Sequence, residues 1–185
     1  MAKKVSKISS AAFNIPGVNF RIHMIDTKRI DRRALRYDSL DAFMTEVESV
    51  VDAEQAGNLR SAGNWTAGQI FGHLATWIDY GFDGLPFKPP VVIKVLLRVL
   101  RMKNRFVNGK LPAGVKIPRL PGGTLGREEM TTQAGLLKLR AAVERLKANA
   151  PDREHPIFGW LTHDEWIKIH LRHDELHLGF LSVSH

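Results

Sequence analysis

The chain has 185 residues with 27 Lys+Arg against 19 Asp+Glu, a formal charge of +8, and its 44% hydrophobic and 25% charged content is that of a globular domain. That composition excludes the disordered and collagen-like classes, and the length is enough to bury a core without disulfide staples. Cysteine is absent, which excludes thiolate zinc sites, iron–sulfur clusters and a Cys nucleophile while leaving the redox compartment undetermined.

The opening MAKKVSKISSAAFNIPGV carries lysines, but Ser9, Ser10, Asn14 and Pro16 interrupt any apolar run, so no secretory signal is expected. From Val18 to Ile25, apolar Val18, Phe20, Ile22 and Met24 alternate with Asn19, Arg21 and His23, the period of a half-buried strand. We read residues 1–37 as an N-terminal extension holding this short strand, and 38–185 as the helical domain. A first helix starts at a cap from Asp38 or Ser39, carries Leu40, Phe43, Met44, Val47, Val50 and Val51 at helical spacing, and ends near Gly57. Thr66 caps a second helix that runs to Gly81 or Gly84, with Ile70, Phe71, Leu74, Trp77 and Ile78 as its apolar stripe.

Pro89-Pro90 open a third helix, expected to continue to Val107-Asn108-Gly109. Its Lys94, Arg98, Arg101 and Arg105 fall at i, i+4, i+7 and i+11 as one basic surface stripe, and Val92, Val95, Leu96, Val99 and Leu100 lie on other faces. Two uses compete for such a helix: covering the bundle core, or lying on an anionic membrane or phosphate. Its apolar stretch, Val91 to Leu100, is broken by Lys94 and Arg98 and is about half the length needed to span a bilayer. No transmembrane segment is therefore expected, and the protein is placed in the cytoplasm. Residues 111–126, with three prolines and four glycines, read as a long loop. The fourth helix is expected from Arg127 to Asn149, with Glu128-Glu129 in its first turn and Met130, Leu136, Leu137, Val143 and Leu146 along it. The last begins behind Thr162 with Glu165 three residues on, a capping box.

Charge is segregated along this series. Residues 1–37 hold 9 basic and 2 acidic residues, 38–87 hold 1 and 8, 88–119 hold 9 and none, and 120–185 hold 8 and 9. The basic stretches suit an anionic partner, but no aromatics interleave with them as a nucleic-acid groove would require, so nucleic acid is not the expected partner.

The last helix contains HLRHDELH, which places His170, His173 and His177 on one face, the last two a turn apart and able to converge on one metal ion. In the second helix His73, between Phe71 and Leu74, faces the interior, and Gln69, Trp77 and Tyr80 share its side. If the two helices are neighbours, His73, His173 and His177 form a three-His site with an open position, the catalytic rather than the structural arrangement. Asp174, with Asp79 and Glu175, is a candidate to orient a ring from behind. The competing reading is a set of core histidines satisfied by carbonyls or carboxylates. Signatures such as G-x-S-x-G, H-E-x-x-H and the P-loop are missing.

NWTAGQIFGHLATW together with HPIFGWLTHDEWIKIHLRHDELHLGFL resembles the DinB-like (DinB/YfiT) superfamily of metal-dependent enzymes, over about residues 38–182. Within it the chain is similar to a subfamily with an HP-x-FG segment before a Thr-x-x-Glu-Trp helix. The resemblance implies an all-α fold, a four-helix bundle of up-down-down-up type, here with an N-terminal extension. It implies a divalent metal, zinc or nickel, on His73, His173 and His177. His170 becomes a neighbour rather than a ligand, and His155 of the HP-x-FG segment either shapes the pocket or caps its loop. Related members are thiol transferases or isomerases that use low-molecular-weight thiols, and hydrolases, so the metal would activate water or an external thiol. The expected partners are a small-molecule substrate, which the nearby cations would favour if anionic, or such a thiol, in a homodimer. The alternative function is a non-catalytic binding or stress-response module that docks an anionic partner through its basic helix and arm.

Overall fold

The computed structural model describes the backbone of residues 10–12 and 21–23 and the whole of residues 25–117 and 123–183. Two short strands, β1 (Ser10–Ala12) and β2 (Arg21–His23), pair antiparallel. Then follow α1 (Leu40–Gln55), β3 (Leu59–Ser61), α2 (Ala67–Asp83), α3 (Val91–Val99), α4 (Met102–Asn108), α5 (Thr132–Ala148), α6 (His163–Leu178) and β4 (Leu181–Val183). Of the expected strand over 18–25, only Arg21–His23 forms a strand among the described residues; Val18, Phe20 and Met24 lie outside them.

The four long helices form the bundle, and the contacts between their ends give its sense. Lys147 at the end of α5 pairs with Asp41 at the start of α1, and Arg140 of α5 reaches Glu48 of α1 at 2.8 Å, so α1 and α5 are antiparallel. Arg145 in the last turn of α5 meets Asp83 at the end of α2 at 2.9 Å, so those two are parallel. His163, first residue of α6, is 2.6 Å from the Leu146 carbonyl near the end of α5, which sets α6 against α5. The order is therefore up-down-down-up. Phe43, Val47 and Val50 of α1, Phe71, Leu74 and Ile78 of α2, Leu139, Val143 and Leu146 of α5, and Trp166 and Leu178 of α6 fill the core.

Local signals account for the helix boundaries. Ser39 caps α1 through Ala42 N–H, and Thr66–Gln69 and Thr162–Glu165 are complete capping boxes on α2 and α6. β3 and β4 pair antiparallel, Ser61 opposite Leu181, so the C-terminal ends of α1 and α6 are tied together at the end of the bundle where α2 begins. Across α2 and α5 the helices nearly touch. A Cβ on Gly135 would stand 2.6 Å from the Gly68 carbonyl, and one on Gly72 would stand 2.5 Å from Met130 Sδ.

Residues 25–37 are strapped to the bundle. Arg33 donates its N–H to Gly179 at 2.9 Å and its Nε to Leu181 at 2.5 Å, and Arg32 donates to Leu176 and Leu111. The extension therefore clamps the C-terminal end of α6.

Two expectations need correction. The third helix is broken: α3 ends at Val99 with Leu100 as its C-cap, Arg101 takes a left-handed conformation (φ 49°), and α4 starts anew at Met102. That conformation costs about 1–2 kcal/mol for a side chain with Cβ, and the turn lets α4 pack on α6 with Val107 in the core and Lys103 on Glu165 at 2.7 Å. Lys94 and Arg98 thus sit on α3, Arg101 at the break and Arg105 on α4, and no continuous stripe survives. The fourth helix also begins later, at Thr132 behind a Thr131 cap, because residues 127–131 run as a loop over α2 and seat Met130 against Gly72. Glu128 and Glu129 are in that loop rather than a helix, and of the apolar residues along α5 Leu137 is exposed.

Candidate metal centre

α2 and α6 are neighbours, and they bring His73, His173 and His177 together at the end of the bundle closed by β3 and β4. His173 Nε2 lies 3.3 Å from His73 Nε2 and 3.1 Å from His177 Nε2, and the three rings offer ligand atoms all within 4.8 Å of one another. A tetrahedral ion about 2.0–2.1 Å from each nitrogen would place any two of them about 3.3–3.4 Å apart. The observed spacings come close to that figure before any ion draws the rings in.

The tautomer of His73 follows from its neighbour. His73 Nδ1 is 2.7 Å from the Leu125 carbonyl, which can only accept, so Nδ1 carries the hydrogen and the Nε2 lone pair points at the other two imidazoles. Burial pushes the His73 pKa down to about 4, against smaller opposing effects of the Leu125 carbonyl and the Glu128 charge. His173 and His177 are driven well below the ordinary range, first by burial and then by the neighbouring imidazoles, to which Arg32 adds for His177. All three rings are neutral at pH 7, the form a metal requires. A divalent cation at the point where the three Nε2 atoms meet would take the place of these short nitrogen–nitrogen contacts. The three histidines could hold a metal ion.

Aromatic rings wall the group. Trp65 stacks on His177 (centroids 5.2 Å apart, planes at 2°) and presents an edge to His73. Trp77 meets His73 and His173 edge-on, and Tyr80 packs on Trp77. His73 is fully buried while His173 and His177 are only partly so, which leaves access from one side. The Glu128 carboxylate is exposed, and its charge is felt by both His73 and the Tyr80 hydroxyl.

The remaining candidates sit elsewhere. Gln69 is not part of the group: its Oε1 accepts the Thr66 N–H at 3.0 Å, completing the cap of α2. His170 is fully buried and stacks on Trp166, and burial lowers its pKa to about 4. His155 caps its own loop, with Nδ1 accepting N–H from Ile157 and Phe158 at 3.2 Å. None of the three acids orients a ring. Asp79 pairs with Arg145, Glu175 accepts from Tyr37 N–H and Arg172, and the buried Asp174 oxygens have no hydrogen-bond partner among the described residues. Burial holds the Asp174 carboxyl well above the usual range. The Leu125 carbonyl does what an acid was expected to do.

Trp65 and Leu125 were not singled out in the sequence, and Glu128 was read only as a first-turn carboxylate of the fourth helix. Trp65 directly precedes the Thr66 cap, where an apolar residue commonly packs against the first turn, and that is the only signal it carries. A backbone carbonyl has no residue-type signature at all.

Fold and site together define a helical-bundle protein with a three-histidine group able to hold a metal ion. The chain belongs to the family described as Protein of unknown function (DUF1569), whose model matches residues 29–184. No curated protein and no solved structure matches the chain. The three-His cluster is compatible with a DinB-like metalloprotein. Among the described residues, no helix is long and apolar enough to cross a membrane.

Proposed function

We propose that the protein is a cytoplasmic metal-dependent enzyme of the DinB-like type, with His73, His173 and His177 as ligands of zinc or nickel. The observation that carries the reading is the convergence of three Nε2 atoms while His73 Nδ1 is committed to the Leu125 carbonyl. Carbonyl anchoring of this kind sets ring orientation and ligand basicity in metal sites. When bound, a divalent ion with an open position supplies Lewis acidity that makes water or a low-molecular-weight thiol nucleophilic at neutral pH.

The chain's own residues supply the rest. Trp65 and Trp77 shield the histidines from solvent and lower the local dielectric, which strengthens every charge interaction there. Glu128, the acid whose charge reaches His73 and Tyr80, accepts the proton released by the incoming water or thiol. Arg32, beside His177, favours an anionic substrate or thiol. The reaction is thus hydrolysis or thiol transfer. A chain without cysteine has no thiol of its own, which suits an external one.

The test is metal analysis of untagged protein reconstituted with zinc or nickel. The wild type should retain about one equivalent and His173→Ala less than about a tenth. Equal, sub-stoichiometric retention by both would overturn the reading.

A further inference from the structure

α3 is turned inside out relative to an ordinary surface helix. Its half-buried residues are Ile93, Lys94 and Leu97, and none of its nine residues is buried. Val92 is 77% exposed, Val99 72% and Val91 71%, with Val95, Leu96 and Leu100 each more than half exposed. Among the expected uses of this helix, covering the core is therefore the one the structure rejects. The bundle core is filled without it.

The segment that carries this apolar face is cationic. Residues 88–119 carry 9 basic residues and no acid. Lys94 and Arg98 flank the face along the helix and Arg101 stands at its end. Arg98 donates to the Ile157 carbonyl at 2.9 Å, tying α3 to the loop that presents Trp160, itself 64% exposed. An exposed aliphatic face, flanking cations with long aliphatic stems and a nearby exposed tryptophan match the two layers of an anionic bilayer surface, acyl chains below and phosphates above. A second copy fits poorly, since pairing α3 with itself would bring together two segments that lack any acid.

We propose that α3 docks the protein on anionic membranes, lying in the interface plane with Val91, Val92, Val95, Leu96 and Val99 among the acyl chains and Lys94 and Arg101 at the phosphates. The proposal does not depend on the metal reading.

The experiment is sedimentation of the full chain with vesicles of phosphatidylcholine alone, or of phosphatidylcholine mixed with phosphatidylglycerol, at about 0.15 M salt. We expect binding to the anionic vesicles only. Val92→Ser/Val95→Ser/Val99→Ser should lose it, and these side chains are exposed enough for the fold to survive, as circular dichroism will verify. Lys94→Gln/Arg101→Gln should weaken binding roughly 25-fold, about fivefold for each charge near the surface. The proposal is overturned if the wild type fails to bind anionic vesicles, or if the serine variant binds them as well as wild type, which would mean charge attraction alone. It is equally overturned if the chain is a dimer in solution that the serine variant dissociates, or if an acidic polypeptide or DNA at equal charge displaces the protein from the vesicles. Those results would assign the face to a second copy or to another polyanion.

Discussion

Two groups of histidines lie along the same bundle and do opposite things. At one end the Nε2 atoms of His73, His173 and His177 face one another behind two tryptophans. Further along α6, His170 stacks on Trp166, which also meets His155, and His155 spends its Nδ1 on the backbone of its own loop. Both sets are kept neutral by burial. Neutrality therefore does not separate a ligand from a core histidine. Direction does: an imidazole is a ligand candidate when its hydrogen is committed outward and its lone pair meets others of its kind.

The comparison can be pressed hardest at the structural end. Trp166→Ala should lower unfolding free energy by about 3–5 kcal/mol, the range for removing a buried tryptophan, and leave zinc stoichiometry unchanged in the folded protein. Denaturant melts paired with metal analysis decide this. If the variant loses metal at full occupancy of the native state, the two ends are coupled.

Acid should act on both ends at once. His73 and His170 titrate at about 4 in the fold, His155 at about 3, and His173 and His177 also below their unfolded value near 6.5. Between those limits the unfolded chain binds more protons, so the metal-free protein loses stability as pH falls from about 6.5 toward 4. Asp174, Asp79 and Glu175, whose carboxyls burial raises, contribute the opposite slope, but three carboxyls are outweighed by five histidines. Replacing His170 by Asn should reduce the slope by about 1.4 kcal/mol per pH unit, read from denaturant midpoints at several pH values. An unchanged slope would show that His170 is charged in the native state.

A finer cut separates orientation from ligation. Gly126 has φ +67°, and a Cβ there would stand 2.8 Å from the Thr76 side chain. Gly126→Ala should shift the loop, pull the Leu125 carbonyl from His73 Nδ1 and weaken zinc affinity about 10–100-fold with all three ligands in place. Competition with a chelator measures it, and wild-type affinity would show that the Leu125 bond is dispensable.

Much of this was legible in the chain. Ser39, Thr66 and Thr162 announce helix starts because a side-chain oxygen satisfies backbone N–H groups within three residues, a local event. The i, i+4 spacing of His173 and His177 places them on one face for the same reason. His73 joins them only because α2 and α6 pack side by side. Gln69 shows the limit of reading by face: it shares the side of His73, yet the nearer bond to the Thr66 N–H takes its side chain.

What tertiary structure alone decided has a common physical cause, competition among distant groups for the same space and the same hydrogen bonds. The break at Arg101 arises because Val107 has a place in the core while Val92, Val95 and Val99 do not, and one straight helix cannot serve both. Residues 127–131 stay out of α5 because Met130 seats against Gly72, and the same loop brings the Leu125 carbonyl to His73. Sequence by itself determined α1, α2 and α6, their caps and the paired histidines of α6, since those depend on residues within a few turns. Packing decided which histidines meet, which carbonyl turns His73 and which face of α3 looks outward.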